Sequence, residues 1–123
     1  MTLISANKSR KLTRDLTILD VDLVAVVPGA NDVVRVKIGL RGEAPLLDLD
    51  SAAASANGST ITKNTPSSGI NRLEIVALDM GITPGVYTLE LSLVDNADGA
   101  EIKHVDNQTF VVHDVMSGDV GLV

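Results

Sequence analysis

Two histidines are the residues of this sequence that most readily suggest a metal site. His104 and His113 both fall in the last strand-like region of the chain. A zinc site would need both imidazoles on one face with an acid nearby, whereas isolated surface histidines need no such arrangement. We prefer the second interpretation, so the sequence predicts no metal site and no cofactor.

Two pairs of aspartates have a spacing that could hold a cation. Asp20 and Asp22, and likewise Asp48 and Asp50, are two residues apart, so each pair shares a face of an extended chain. Carboxylates arranged in this way can bind a cation between two sheets. Solvated acids on the outer face of a strand have the same spacing, and we expect that simpler arrangement.

The remaining chemical motifs do not complete a known site. In the acidic turn VDNADGAEI, placing Asp98 and Gly99 at the fifth and sixth positions of a calcium loop puts Val94 and Val105 at the first and twelfth. Apolar side chains supply no carboxylate oxygen, so the match to an EF-hand fails. No phosphate-binding glycine motif occurs, and Ser117 lacks the strand-turn-helix context that a nucleophile needs. We therefore expect a protein that is not an enzyme.

Composition argues against several classes of partner. The chain has 123 residues, a formal net charge of −6, no cysteine and 2% aromatic residues. This length suits one domain, and the negative charge repels phosphate backbones, so we expect no nucleic-acid partner. Scarce aromatic side chains leave few stacking platforms for sugars or bases. Any core must be built from valine, leucine and isoleucine.

The opening segment also lacks a membrane signal. Residues 1–16 carry scattered polar side chains where a signal peptide needs a continuous apolar region. No stretch has the length and apolarity of a membrane-spanning segment. We expect synthesis in the cytoplasm and no membrane contact.

The strongest structural pattern is a two-residue alternation near the end of the chain. In VYTLELSLV, residues 86–94, tyrosine and leucine side chains fall on one face and polar side chains on the other. Pro84 and Gly85 precede this strand, and an Asp-Gly turn follows it. The return strand starts near Ala100 and ends in TFVVH, with a bulge or kink predicted at 106–108.

Earlier segments show the same alternation. LDVDLVAVV, residues 19–27, and VVRVKIGLR, residues 33–41, predict a second hairpin joined by the turn PGAND. Shorter strands are predicted at 45–49, 59–63 and 71–78, whereas 50–58 fits one helical turn or a loop equally well. About seven strands separated by turn residues predict an all-β fold, an immunoglobulin-like two-sheet β-sandwich.

The two ends differ from the middle. Residues 1–14 are predicted to form a basic arm, 15–114 the β-sandwich domain and 115–123 a C-terminal tail. We expect both arms to contact neighbouring subunits, and solvated, frayed ends are the alternative. The arm residues predicted to bind a partner are Leu3, Ile4, Lys8, Arg10, Lys11 and Arg14.

Four pieces of the sequence, in this order, resemble the small immunoglobulin-like domains of tailed-phage virion proteins. In those domains the pieces look like a G-x-P-hydrophobic-x-Leu segment, a P-G-x-Tyr entry to a long alternating strand, an Asp-x-Asp-Gly turn and a closing Thr-Phe-x-Val strand. The corresponding residues of this chain are Gly42, Pro45, Leu47, Leu49, Pro84, Gly85, Tyr87, Asp98, Gly99, Thr109, Phe110 and Val112. The domains resembled include the N-terminal domains of baseplate upper proteins and capsid decoration proteins.

The resemblance implies a structural role in a virion. It suggests a capsid decoration or cement protein that binds the outer head surface through its arms and loops, with the major capsid protein or another virion protein as partner. A homo-oligomer is expected, with a trimer as one candidate arrangement. The alternatives are a tail, neck or baseplate component, and an adhesion module that binds carbohydrate on the host surface.

Overall fold

A computed structural model of the chain describes residues 3–95 and 101–114, which form eight β-strands in two sheets. This confirms the all-β, two-sheet prediction, with eight strands where the sequence indicated about seven. The strands are β1 (Leu3–Asn7), β2 (Leu12–Leu16), β3 (Asp32–Gly39), β4 (Leu47–Asp50), β5 (Thr60–Thr62), β6 (Asn71–Ile75), β7 (Gly85–Asp95) and β8 (Glu101–His113).

The order of the strands is that of an immunoglobulin domain. One sheet has the order β1-β8-β7-β3-β4 and the other has the order β2-β6-β5. In immunoglobulin notation, β2, β6 and β5 take the places of strands B, E and D, and β3, β7 and β8 those of C, F and G. The additional strand β4 corresponds to C′ of variable-type domains. All neighbouring strands are antiparallel except β1 and β8, which run parallel.

A tyrosine corner supports the same assignment. Tyr87, near the start of β7, donates a hydrogen bond from its hydroxyl to the carbonyl of Thr83 at 2.5 Å. In antibody domains the equivalent tyrosine lies two residues before the second disulfide cysteine. The residue at that place here is Leu89, which is fully buried. Apolar packing therefore occupies the position of the disulfide.

The core lies between the two sheets and consists mainly of aliphatic side chains. Alternate residues of β3 and β7 face it, because successive side chains of a strand point to opposite faces. Phe110 of β8 is the one aromatic residue among the fully buried side chains of the described ranges. The fully buried residues of this core include Ile18, Val34, Val36, Ile38, Leu73, Ile75, Met80, Leu89 and Leu91.

The predicted basic arm is corrected by the structure, because its residues belong to the sandwich. β1 pairs with β8 from Leu3 opposite Thr109 to Asn7 opposite His113. The side chains of Ile4 and Ala6 are buried in the core. The rest of the segment enters β2, which pairs with β6. The sandwich therefore begins at the first described residue, and the predicted tail at 115–123 lies outside the described residues.

The prediction of a strand at 19–27 is also wrong. The segment contains one isolated bridge, between Leu19 and Ala25. The predicted hairpin cannot form because both edges of β3 are taken, one by β7 and the other by β4.

Two smaller predictions have definite outcomes. Of segment 50–58, Asp50 ends β4 and 51–58 is a loop, and Asp50 Oδ1 accepts hydrogen bonds from the backbone N–H groups of Ala52 and Ala53 at 2.8 and 3.1 Å. The bulge in the β7–β8 pair lies between Leu93 and Val94, where Lys103 is the extra residue. It therefore falls earlier than the predicted 106–108.

An acid-centred cluster fastens the loop before β5 to the connection between β6 and β7. The carboxylate of Asp79 accepts hydrogen bonds from Ser55 Oγ at 2.7 Å, from Asn57 Nδ2 at 2.8 Å and from Ser59 Oγ. Ser59 Oγ also accepts the backbone N–H of Val76 at 3.0 Å. Partial burial opposes ionisation of Asp79, but the three donors outweigh it and lower its pKa below the ordinary 3.8.

This cluster predicts a loss of stability in acid. Because the folded pKa of Asp79 lies below its unfolded value, its contribution is complete above about pH 4 and is lost as the pH falls through the folded pKa. We expect Asp79→Asn to lower the free energy of unfolding at pH 7 by about 1–2 kcal/mol. The difference from wild type should shrink between pH 4 and pH 2 in urea titrations. The exposed control Glu43→Gln should not reproduce this convergence, and a constant difference across that range would contradict the prediction.

Candidate binding surface

Residues 18–26 form a small hydrogen-bonded hairpin between β2 and β3. The N–H of Val26 donates to the carbonyl of Ile18 at 2.8 Å, and the N–H of Asp20 donates to the carbonyl of Val24 at 3.0 Å. The Leu19–Ala25 bridge lies between these two bonds. The side chain of Ile18 is fully buried, so it anchors the base of the hairpin in the core.

The tip of the hairpin is fixed by an aspartate. Asp20 Oδ1 accepts the N–H groups of Asp22 at 2.8 Å and Val24 at 3.0 Å, and the Asp20 carbonyl accepts the N–H of Leu23 at 3.0 Å. Leu23 has a φ of 61°, a left-handed conformation that costs a side-chain-bearing residue about 1–2 kcal/mol. These hydrogen bonds fix the backbone conformation of the tip.

This ordered tip presents apolar side chains to solvent. Val21 is 96% exposed and Leu23 is 76% exposed. Of the twelve exposed large hydrophobic residues in the described part of the chain, five lie within 19–27. This concentration of exposed apolar side chains in one segment makes it the candidate surface for binding another molecule. The five are Leu19, Val21, Leu23, Val24 and Val27; we call them the apolar hairpin.

The segment that follows the apolar hairpin is held to the second sheet by a lysine. Lys63 Nζ donates to the carbonyls of Gly29 at 2.7 Å, Ala30 at 3.2 Å and Asp32 at 2.7 Å. Asp32 Oδ2 accepts the N–H of Gly29 at 2.7 Å, and this bond is the main cause of a lowered pKa at Asp32. Burial acts against it, and a hydrogen bond from Lys103 adds to it. These hydrogen bonds therefore fix residues 29–32, through which the hairpin joins β3.

The apolar hairpin occupies the B–C connection of the immunoglobulin arrangement. It lies at the end of the sandwich where β3 begins and β7 ends, because Asp32 pairs with Asp95. In variable-type domains the B–C loop at this end is one of the antigen-contacting loops.

The six residues predicted to bind a partner lie at the opposite end of β2 or on the strands themselves. Ile4 is fully buried, so it serves the core and is not available as an anchor, whereas Leu3 is exposed. Lys11 Nζ lies 3.7 Å from Glu74 Oε2 in an exposed ion pair. The cations Lys8, Arg10, Lys11 and Arg14 reach the surface on the β1–β2 turn and on β2. None of the six belongs to the apolar hairpin.

The acids and histidines singled out from the sequence serve separate roles. Arg35 binds Asp48 in a two-point ion pair with N–O distances of 2.9 and 2.7 Å, and this hydrogen bonding lowers the pKa of Asp48. His104 is half-buried and His113 is exposed. Within residues 3–95 and 101–114, no group of three potential ligands lies close enough to hold a metal ion. In those same ranges, no helix has the length and apolarity needed to cross a bilayer.

A polar cleft lies on the outer face of β3 and β7. Its volume is about 410 Å³, and its lining includes Lys37, Arg41, Glu43 and Glu90. The lining has cations and acids in equal number and no aromatic side chain. Such a surface can hydrogen-bond a polar ligand but offers no stacking platform for a sugar ring.

Comparisons with known proteins give little beyond this geometry. No family model matches the chain, and no curated protein matches it. Among solved structures, the chain is similar to one from a crystal structure of the ZIG-8–RIG-5 IG1–IG1 heterodimer. That likeness has 15% identity and a TM-score of 0.46, covering 91% of this chain and 82% of the other. The fold assignment therefore stands on the strand order and the tyrosine corner.

Proposed function

We propose that this protein is a non-enzymatic binding domain that attaches to another protein through the apolar hairpin. Its biological setting in this proposal is the virion of a tailed phage, where it decorates the outer head surface and contacts the major capsid protein or another virion protein. The observation that carries the binding role is the ordered, solvent-exposed apolar tip formed by Val21, Leu23 and Val24.

Burial of the tip can supply useful affinity. Removing a valine or leucine side chain from water contributes roughly 1.5–3 kcal/mol. Association costs rigid-body and side-chain freedom, and an ordered binding loop reduces that cost. The bonds from Asp20 order the loop in the free protein, so more of the burial energy remains for binding.

The phage setting is supported by the resemblance of the four sequence pieces to virion domains. A decoration protein is present in many copies, so modest individual contacts add through avidity. The exposed cations of the β1–β2 region can add an electrostatic contact at the other end of the sandwich. Attachment at the tail, neck or baseplate is the alternative within the same class.

The hairpin can be tested with a double variant, Val21→Ser with Leu23→Asn. Asparagine tolerates the left-handed conformation of position 23, so the turn should persist while the apolar surface is lost. We expect binding to purified particles that lack this protein to weaken at least about 100-fold, since two buried side chains are removed. Co-sedimentation over a concentration series gives the affinity, and circular dichroism checks the fold.

Two control variants show whether a loss of binding is specific to the hairpin. Leu78→Ser removes an exposed leucine outside the hairpin and should bind like wild type. A variant with glutamine at positions 8, 10, 11 and 14 removes the cations while keeping the strands. If that variant loses binding and the hairpin variant does not, attachment runs through the cations and the proposed role of the hairpin is wrong.

A second candidate is an adhesion module that binds host carbohydrate. The polar cleft beside Lys37 and Glu90 is the observation that favours it. A glycan array would support this candidate if binding were abolished by Lys37→Ala with Glu90→Ala, and an array without hits would remove it.

A further inference from the structure

Among the described strands, the last one has an edge that is only partly covered. β8 spans Glu101–His113, whereas its neighbour β1 reaches only from Thr109 to His113. Among the described strands, none lies beside 101–108 on the side away from β7. An uncovered edge presents backbone N–H and C=O groups that can pair with another chain.

Side chains along this edge form a definite pattern. His104, Asp106 and Gln108 pair with the buried residues of β7 that face the core, so they lie on the inner face of the sheet. Val105 pairs with Ser92 and lies on the outer face, 49% exposed. The edge thus offers a donor, an acid and an amide on one face and an apolar side chain on the other.

Within the described part of the chain, one side-chain atom on the inner face has no hydrogen-bond partner. Oε1 of Gln108 is buried, and no hydrogen-bond donor reaches it among the described residues. A buried acceptor left without a donor costs about 1–3 kcal/mol, so such groups call for an explanation. Gln108 lies one residue before the stretch of β8 that β1 covers.

We propose that two copies of this protein pair through this edge, antiparallel, about a two-fold axis at Val105. Pairing about that axis places His104 of each copy opposite the partner's Asp106 and the two Val105 side chains opposite each other. The partner's His104 is then also diagonal to Gln108, within reach of long side chains. The arrangement joins the two five-stranded sheets into one.

Alternative registers are less favourable. A two-fold axis normal to the joined sheet keeps the two inner faces on the same side. One residue must then lie opposite its own copy, at the axis. Moving the axis by one residue changes every pair of opposite residues. An axis at Asp106 would set the two carboxylates against each other, and an axis at His104 would do the same with two imidazoles. Two acids directly opposite each other are destabilising, whereas an imidazole opposite a carboxylate pairs a hydrogen-bond donor with an acceptor.

The geometry also limits the length of the interface. The bulge at Lys103 ends the regular pairing on one side, and Leu3 opposite Thr109 ends it on the other. Lys103 does not block the edge, because its ammonium turns back to Asp32 at 3.1 Å. The inference goes beyond the proposed function, since the apolar hairpin takes no part in it.

Single cysteines test the register directly, because the natural chain has no cysteine. Directly opposite residues of an antiparallel pair lie about 4.5–5.5 Å apart, within the range that a disulfide spans. Val105→Cys should therefore form a covalent dimer under mild oxidation, at least about 10-fold faster than the exposed control Val86→Cys. His104→Cys and Asp106→Cys, each offset from its own copy, should behave like the control. Equal rates for all four variants, or faster cross-linking at 104 or 106, would overturn the proposal.

A charge exchange provides an independent measurement on the free protein. Sedimentation equilibrium of wild type should show a concentration-dependent dimer. His104→Asp should weaken it at least about 10-fold by opposing two acids, and the double variant His104→Asp with Asp106→His should restore it. A wild-type monomer at millimolar concentration, a trimer, or no rescue would overturn the proposal. Because no capsid is present, failure here is distinct from failure of capsid attachment.

Discussion

Removal of residues 1–14 is expected to unfold the protein rather than to trim an accessory arm. The deletion takes away β1 and the first half of β2, and with them the buried side chains of Ile4 and Ala6. It also uncovers Phe110, which pairs with Ile4 across the sheet. Losing this burial together with two ladders should cost at least about 5 kcal/mol, comparable with the total stability of a small domain. Urea unfolding followed by circular dichroism would measure the effect.

The matched control keeps the strands and removes the charge. Glutamine at positions 8, 10, 11 and 14 disturbs only surface groups such as the ion pair of Lys11 with Glu74. Exposed pairs of this kind contribute about 0–1 kcal/mol, so this variant should unfold close to wild type. A truncated chain that still unfolded cooperatively at the wild-type midpoint would contradict the placement of β1 in the sheet.

Phe110→Ala is expected to be the most damaging single truncation among the aromatic residues. Phe110 is fully buried between Tyr87 of β7 and Ile4 of β1 in the sheet register. Removing the ring leaves a cavity in an otherwise aliphatic core, and such changes cost about 3–5 kcal/mol. Chemical unfolding should show a large fall in midpoint with an unchanged slope.

Two neighbours of Phe110 separate packing from other effects. Val111→Ala lies on the opposite face of the same strand and should cost less than about 1 kcal/mol. Tyr87→Phe removes the hydroxyl bond to Thr83 and should cost about 1 kcal/mol while keeping the ring. If Phe110→Ala cost no more than these two, the side chain would not be a central element of the core.

Strands whose partners are close in sequence could be predicted. β7 alternates cleanly between leucines and polar residues, and its partner β8 is the next strand along the chain. The predicted Asp-Gly turn at 98–99 lies outside the described residues. β6 and β3 also appear where the alternation placed them. In each of these strands, the alternation predicts which side chains face the core, and the valine, leucine and isoleucine side chains among them are buried.

The apolar hairpin could not be predicted in this way. Alternation in 19–27 matches that of a strand, but a pattern within one segment does not show whether an edge is free to pair with it. β3 pairs with β4 on one edge and with β7, which lies far along the chain, on the other, so no edge remains for 19–27. One signal in the sequence is that Val24 and Val26 follow Asp20 and Asp22 on the same face, so the second half of the segment is apolar on both sides.

The opposite error occurred at the start of the chain. β1 places only Ile4 and Ala6 in the core and is followed by several cations, a composition that also suits a solvated arm. Its partner is the last strand, so no local turn signals the pairing. The cations reach the surface, whereas the side chain of the predicted anchor Ile4 is buried because its strand turns that side chain inward.

The parallel pairing of the first and last strands has a consequence for synthesis in the cell. Leu3 pairs with Thr109, so this pairing cannot form until Thr109 has been synthesised. At about 5–20 residues per second, the ribosome adds Thr109 on the order of 5–20 seconds after Leu3. Until then the five-stranded sheet is incomplete in the growing chain, and Ile4 lacks Phe110, its neighbour on β8. A chaperone that binds extended apolar segments would find its best substrate in that interval, and ribosome-bound chains halted before β8 should remain sensitive to protease.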